Sequence, residues 1–394
     1  MDTELNNLKD RLLSELTGNI LPFWEERMQD PSGGFYGRMD GEGRIVPGSP
    51  KGLILNARIL WTFSSAYRLF GRDNYKAMAS RAKDEIMGRF RDKEFGGAFW
   101  SLDSAGQPLD TKKQFYAIAF AIYGLSEYYR ATSEQDALDC AIDFFHSIEE
   151  HSRDYIHGGY IEARARDWSG LEDVRLSQKE TNDAKTMNTH LHILEAYTAL
   201  YRVWKDSALE EALRNLILIH MDRIASLGGH LQLFFDMDWT VKSQIQSFGH
   251  DIEASWLIQE AADVLGDQAI ISRAKTECKK IADAGLEGFS IAGGMIYEWN
   301  PLKRHMDSDR HWWVQAETVV GCFNQWQNSG DGRYLTYAEA AWRFIRHFII
   351  CPDGEWYWSC KEDGTPNTDD DRAGFWKCPY HNGRMCIELI ERIK

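Results

Sequence analysis

The sequence predicts an all-α protein, an (α/α)6 barrel in which six helical hairpins close into a ring with short β-hairpins at one mouth. Three observations lead there. A glycine-marked hairpin pattern occurs six times, an apolar and then an amphipathic helical stretch follow in turn, and the spare helices at the two ends can pair with each other. The whole chain of 394 residues is read as one domain, 1–394.

The hairpin pattern is a turn with glycine, alternating aromatic and polar residues, and a second polar turn. It reads GGFYGRMDGEGR from Gly33, GGAFWSLDSAGQ from Gly96 and GGYIEARARDWSG from Gly158. It returns as GGHLQLFFDMDW from Gly228, GGMIYEWNPLKR from Gly293 and DGEWYWSCKEDG from Asp353. The copies start 60 to 70 residues apart, so the chain is an internal repeat.

After the first hairpin, Leu53 to Phe70 is apolar nearly all round, which marks a buried helix. Tyr75, Met78, Ala79, Ala82, Ile86 and Phe90 then follow helical spacing with charges between them, giving an amphipathic outer helix. The alternation continues over 115–129 and 135–150, 188–204 and 208–224, 251–265 and 269–285, then 312–326 and 334–349. Helices over 5–27 and 381–393 each lack a partner and complete the sixth pair together. The terminal copies show no polar capping face, so a closed ring fits better than an open array.

The composition is that of an ordinary globular chain, 43% hydrophobic and 27% charged. A net charge of −15 without a basic block argues against nucleic acid and against an anionic membrane surface. No apolar run approaches the roughly 18 residues that span a bilayer, and the first eighteen residues lack the layout of a signal peptide. Seven scattered cysteines without a C-x-x-C pair read as reduced thiols in a cytoplasm. The 15 Trp and 16 Tyr fit either a core or a carbohydrate cleft.

In such a ring every buried helix starts at the hairpin mouth, so first-turn side chains converge on one pocket that six helix dipoles make favourable to an anion. The helix starts contribute Arg58, Tyr116, Asn188 with His192, His250 with Glu253, His311 with Trp313, and His381. Around His250 we expect a loop turning through Gly249 into the helix, with His250 and Glu253 on one face of its first turn.

His190 and His192 look like a ligand pair, but residues two apart point to different helix faces, and neither H-E-x-x-H nor Cys–His zinc spacing occurs. A metal-free site is expected. There is no G-x-S-x-G elbow and no phosphate-binding glycine loop. Glu253, Asp309 and Glu317 could supply the carboxyl pair of a glycosidase, which would leave the histidines without a task. Histidines with an arginine suit proton abstraction beside a carbonyl. The arginine holds an enediolate oxygen, and imidazole has its ordinary pKa near the working pH.

The segments LNARILWTF (55–63), MNTHLHILEAY (187–197), SFGHDIEASW (247–256), DRHWWVQAE (309–317) and FWKCPYHNGR (375–384) resemble the N-acylglucosamine 2-epimerase family. The last, with Trp376, Pro379, Tyr380, His381 and Asn382, looks like its cellobiose branch. The resemblance covers nearly the whole chain and implies an (α/α)6 barrel without metal or organic cofactor. It implies that a disaccharide such as cellobiose, lactose or mannobiose opens at its reducing end, loses the C2 proton to give a cis-enediolate, and is reprotonated on the other face. It makes His250 and His381 the acid/base pair, His192 an assistant, Arg58 the holder of the enediolate and Glu253 the carboxylate that orients the histidines. Tyr116, Asn188, Trp313 and Trp376 line the sugar by the same resemblance, with His311 beside them, and Glu180 falls where an acidic sugar contact is looked for. A monomer is expected.

Overall fold

The computed structural model describes residues 2–177, 181–290 and 293–394. Twelve helices are found among them, numbered here in chain order with each π-helical continuation counted in its helix. The even-numbered ones form an inner ring and the odd-numbered ones a shell around it. The inner helices are α2 (Leu53–Phe70), α4 (Phe115–Thr132), α6 (Met187–Val203), α8 (Phe248–Leu265), α10 (Trp312–Ser329) and α12 (Tyr380–Arg392). Each packs on the next, and α12 packs back on α2 to close the ring.

The outer helices are α1 (Asp2–Glu15, continuing through Leu16–Ile20 and Leu21–Arg27), α3 (Asp73–Glu85, then Ile86–Phe90) and α5 (Gln135–His151). The others are α7 (Ser207–Ile219, then His220–Ile224), α9 (Gln268–Gly285) and α11 (Gly332–Phe344, then Ile345–Ile349). The two ends of the chain meet as expected, α1 against α12.

Burial follows the pattern of the sequence. Every residue of α2 from Leu53 to Ala66 is buried, because the helix is enclosed by ring neighbours and shell. On α9 the buried positions Ile270, Ala274, Cys278 and Ile281 form one stripe. Four of the six inner helices end in a left-handed residue, Gly71, Ser133, Gly266 or Gly330, at the end away from the hairpins. Asp206, Asp267 and Asp331 then accept backbone N–H bonds at the starts of α7, α9 and α11.

The hairpins pair internally and also with their neighbours. Within the repeats, Glu298–Asn300 pairs with His305–Asp307 and Ser101–Leu102 with Pro108–Asp110, while other turns make isolated bridges such as Gln29 with Phe35 and Arg91 with Ala98. Two-residue pairings join one repeat to the next: Lys51–Gly52 with Ser101–Leu102, Lys113–Gln114 with Ala163–Arg164, and Lys185–Thr186 with Phe234–Phe235. Gln246–Ser247 with Glu298–Trp299 and Arg310–His311 with Ser359–Cys360 continue the series, and a bridge from Met39 to Ala373 closes it. The mouth is thus laced into a ring by backbone hydrogen bonds.

Buried lysines lock this lacing in the first three repeats. Lys51 reaches Asp30 at 2.7 Å, Lys113 reaches Asp92 at 2.8 Å and Lys185 reaches Asp154 at 2.7 Å. Each ammonium also donates to a carbonyl of the glycine turn, at Gly33, Gly96 and Gly158. The inner helix that follows two residues later therefore starts from a fixed point.

Helix α8 begins at Phe248, ahead of the expected start, so Gly249 lies inside its first turn. A Cβ there would stand 2.7 Å from both Trp313 Cη2 and Val314 Cγ2. The glycine makes room for the Trp313 ring rather than for a turn. At Gly124 on α4 a Cβ would stand 2.7 Å from the Ala57 carbonyl oxygen of α2, so these helices touch backbone to backbone.

Two predictions follow from this packing. Gly124→Val should lower the free energy of unfolding by about 1–3 kcal/mol, read from urea midpoints, because the obstructing atom is backbone and cannot move aside. Burial holds His190 at about 3 and His220 at about 4, against 6.5 for a free imidazole. Below pH 6.5 the unfolded chain therefore binds protons that the folded one refuses. Stability should fall progressively as the pH drops from about 6.5 towards these values, by up to about 1.4 kcal/mol per unit for each fully titrating site.

Candidate active site

The inner helices bring their first two turns to the barrel axis at the laced mouth. Residues four apart share a helix face, so Tyr116 with Phe120, Asn188 with His192, and Trp313 with Glu317 point the same way from α4, α6 and α10. Arg58, Glu253 and His381 join them from α2, α8 and α12. They enclose a cavity of about 440 Å3, within the range of small-molecule sites. Arg58, Tyr116, Asn188, His192, His250, Glu253, His311, Trp313, Trp376 and His381 all line it. Glu180 lies outside the described residues.

Of the four histidines lining this space, His192, His250 and His381 each have Nδ1 engaged. His381 Nδ1 lies 2.7 Å from Glu317 Oε1, His192 Nδ1 lies 2.9 Å from Glu195 Oε2, and His250 Nδ1 lies 2.7 Å from Ser247 Oγ. Nε2 is the nitrogen left for chemistry in each ring. Opposite a carboxylate, Nδ1 carries the proton and Nε2 keeps a lone pair. Opposite a hydroxyl, which donates or accepts, His250 is free to take either tautomer.

The imidazoles do not sit near their ordinary pKa as expected. Desolvation pulls both His250 and His381 down to about 3, against a smaller upward pull from Glu317. His192 is also lowered, by burial and by the charges of Arg58 and Arg384, although Glu195 opposes this. All three are neutral at pH 7. A neutral Nε2 is a competent base, and a negative charge developing on a substrate would restore proton affinity.

Below the histidines a single guanidinium gathers their carboxylates. Arg384 on α12 is fully buried; its Nη2 donates to Glu253 at 2.9 Å and to Glu317 at 2.7 Å, while Nη1 donates to Glu195 and Tyr380. Glu317 also accepts from Trp256 Nε1 at 2.9 Å. Burial would raise Glu317, but the Arg384 charge and the His381 bond outweigh it and hold the carboxyl at about 2. Burial raises Glu253 well above the carboxylate range, and the neighbouring Glu317 charge adds to this.

Glu253 stands apart from the other two carboxylates in its bonding. It bonds to Arg384 and stands 3.9 Å from His381 Nδ1, whereas Glu317 and Glu195 are the carboxylates that orient histidines.

Arg58 is the second buried cation. Its Nη2 donates to Tyr116 Oη at 2.9 Å and Nη1 to the Trp376 carbonyl at 3.3 Å. Its guanidinium lies over the rings of Phe120 and Tyr380, 4.2 and 4.8 Å from their centroids. No carboxylate neutralises it among the described residues. A buried positive charge beside a cavity and paired only with neutral groups is suited to an anion formed during reaction. Asn188 Oδ1 and Trp312 Nε1 are buried without a partner among the described residues, one an acceptor and the other a donor.

Residues 34–382 match the N-acylglucosamine 2-epimerase (GlcNAc 2-epimerase) family. The chain belongs to this family. A cellobiose 2-epimerase of Bacteroides fragilis is 56% identical over 386 residues, covering 97% of this chain and 98% of its own. One of Ruminococcus albus is 39% identical over 381 residues, covering 96% and 97%. The structure of a cellobiose 2-epimerase from Spirochaeta thermophila, 38% identical, matches with a TM-score of 0.94 over 99% of this chain and 98% of its own. The chain is therefore an enzyme of the epimerase class.

Within this N-acylglucosamine 2-epimerase scaffold, Glu195 and Arg384 beneath the cavity and Tyr297 in its lining were not named from the sequence, and Glu317 was named only as a glycosidase carboxylate. Glu195 and Arg384 lie one helical turn past His192 and His381, and Glu317 one turn past Trp313, so i,i+3 and i,i+4 spacing carried the signal. Tyr297, stacked on His311 at 4.0 Å between centroids, comes from a strand edge where spacing says nothing. His311 precedes α10 and meets the cavity from the lacing rather than from a helix turn. His190 points away, as its spacing requires, and accepts the Tyr160 N–H at 2.9 Å.

Glu253, Glu317 and His381 lie close enough together to hold a cation. Arg384 already supplies a fixed positive charge to both carboxylates, which a metal ion would have to displace. The same geometry speaks against a glycosidase, because Glu253 and Glu317 share one guanidinium nitrogen instead of flanking a bond from opposite sides. Asp309 is held by Asn367 at 2.8 Å.

Replacing Glu317 by Gln should lower turnover by about 10²–10⁴-fold, because the amide no longer holds His381 in its Nδ1–H form or stabilises its cation. Steady-state kinetics beside a far-ultraviolet dichroism spectrum checks this, with helix content expected to stay as in the parent.

Proposed function

We propose that this enzyme inverts C2 of the reducing-end sugar of β-1,4-linked disaccharides, with cellobiose, lactose and mannobiose as substrates. The carrying observation is that His250 and His381 both pack on Trp313 in one aromatic cavity, with ring centroids 4.8 and 5.7 Å away. Trp312, Trp358 and Trp376 extend the aromatic lining, which favours two sugar rings over one. Curated relatives bearing the name cellobiose 2-epimerase support the same reading.

In this mechanism the bound sugar opens to its aldehyde, with Arg58 and Tyr116 beside the carbonyl oxygen. One of His250 and His381 takes the C2 proton through Nε2. The cis-enediolate that forms places its charge against Arg58, and His192 hydrogen bonds to the 2-hydroxyl side. The other histidine, which takes up a solvent proton at Nε2 as the enediolate charge forms, returns it to the opposite face, and ring closure completes the inversion. The two directions use the histidines in exchanged roles. The same reading makes the enzyme a cytoplasmic, metal-free monomer with one domain over 1–394, in keeping with seven buried thiols and no disulfide among the described residues.

Proton NMR of cellobiose or lactose with the enzyme in heavy water tests the proposal. The C2 proton signal should disappear as a manno-configured reducing end grows in. Unchanged disaccharide would overturn the substrate assignment, and free glucose or galactose would reveal a hydrolase. His250→Ala and His381→Ala should each lower turnover by about 10²–10⁴-fold with helix content intact. Near-parental activity in either variant would remove that residue from the mechanism.

A further inference from the structure

The carboxylates around Arg384 outnumber the positive charges that touch them. Glu195, Glu253 and Glu317 are all buried, and each accepts a bond from the one guanidinium. Three buried carboxylates cannot all stay ionised on a single cation, because each uncompensated charge costs several kcal/mol of desolvation. One of them must hold a proton.

The hydrogen bonds say which. Glu317 accepts from Trp256, His381 and Arg384, and Glu195 accepts from His192, Tyr380 and Arg384. Both are saturated with donors, which favours the ionised form. Glu253 accepts one bond, at Oε1, and its Oε2 has no hydrogen-bond partner among the described residues. Glu253 is also the one of the three that lines the sugar cavity. The charged and titratable groups around it are Glu317 from α10, Arg384 and His381 from α12, Glu195 and His192 from α6, and His250 on its own helix. The negative ones disfavour its ionisation, and the one cation in contact is shared with two stronger claimants.

We infer that Glu253 is a neutral carboxylic acid whose O–H donates a hydrogen bond to a hydroxyl or ring oxygen of the sugar in the cavity. Glu253 is then a substrate-binding donor, and the orientation of the histidines belongs to Glu317, Glu195 and Ser247. Its upward-displaced pKa agrees with this arrangement. The ligand's identity rests on the epimerase reading, whereas the protonation state does not.

Two measurements test the inference. The first is an infrared difference spectrum between the parent protein and Glu253→Gln at neutral pH, without sugar. It should show loss of the carbonyl stretch of a protonated carboxyl group, and loss of an ionised carboxylate band instead would overturn the proposal. The second is epimerisation kinetics on cellobiose for Glu253→Gln and Glu253→Ala. The amide keeps an N–H donor and neutrality, so Gln should cost less than about tenfold in kcat/KM, while Ala should cost about 10²–10³-fold. Equal loss in both variants would overturn the donor role. If the parent enzyme fails on cellobiose, the disaccharide reading falls while the infrared result still decides the state of Glu253.

Discussion

One guanidinium, that of Arg384, sits where three ring helices bring their carboxylates together, and the arrangement of the cavity histidines depends on it. It joins α12 to α6, α8 and α10 through Glu195, Glu253 and Glu317, all of them buried. Removing one member of such a buried set leaves the rest uncompensated, at a cost of about 3–5 kcal/mol. Two of these carboxylates hold Nδ1 of His192 and His381, so the same contact that ties the barrel wall together also sets which nitrogen each imidazole presents. Stability and proton chemistry are not separable in this layer.

Above it the barrel supplies direction. Because the lacing joins each repeat to its neighbour just before an inner helix begins, all the inner helix starts arrive at one mouth at fixed heights. Lys51, Lys113 and Lys185 anchor three of them against the glycine turns. The first turns then place one layer of side chains at the cavity, and the next turn places the layer that orients them. Cavity-lining groups and the residues beneath them are thus stacked along single helices, as His192 over Glu195 and His381 over Arg384.

The aromatic residues divide between two tasks. Trp24 and Trp356 are fully buried far from the cavity and fill the wall, donating indole N–H groups to Glu355 and Glu15. Trp312, Trp313, Trp358 and Trp376 line the cavity. Composition could not separate these uses, because a Trp in a wall and a Trp under a sugar look alike until the axis of the barrel is known.

By itself the sequence determined the ring, the mouth and the residues that meet there. Helical periodicity, glycine turns and a repeat of constant length are local signals, and six copies of one unit leave little choice but closure. That is why Leu53–Phe70 was bounded correctly, and why ten named positions share one cavity. The start of α8 was misplaced because Gly249 has the look of a turn residue, while its actual task is to clear space for Trp313. His192 with Glu195 and His250 with Ser247 are neighbours three apart in the chain, whereas tertiary structure alone decided the distant partners. Glu195 and Arg384 are 189 residues apart, and His381 and Glu317 are 64 apart, so no spacing rule joins them. It also decided their charge states, because burial and the sum of neighbouring charges fix a pKa, and both are properties of the assembled core.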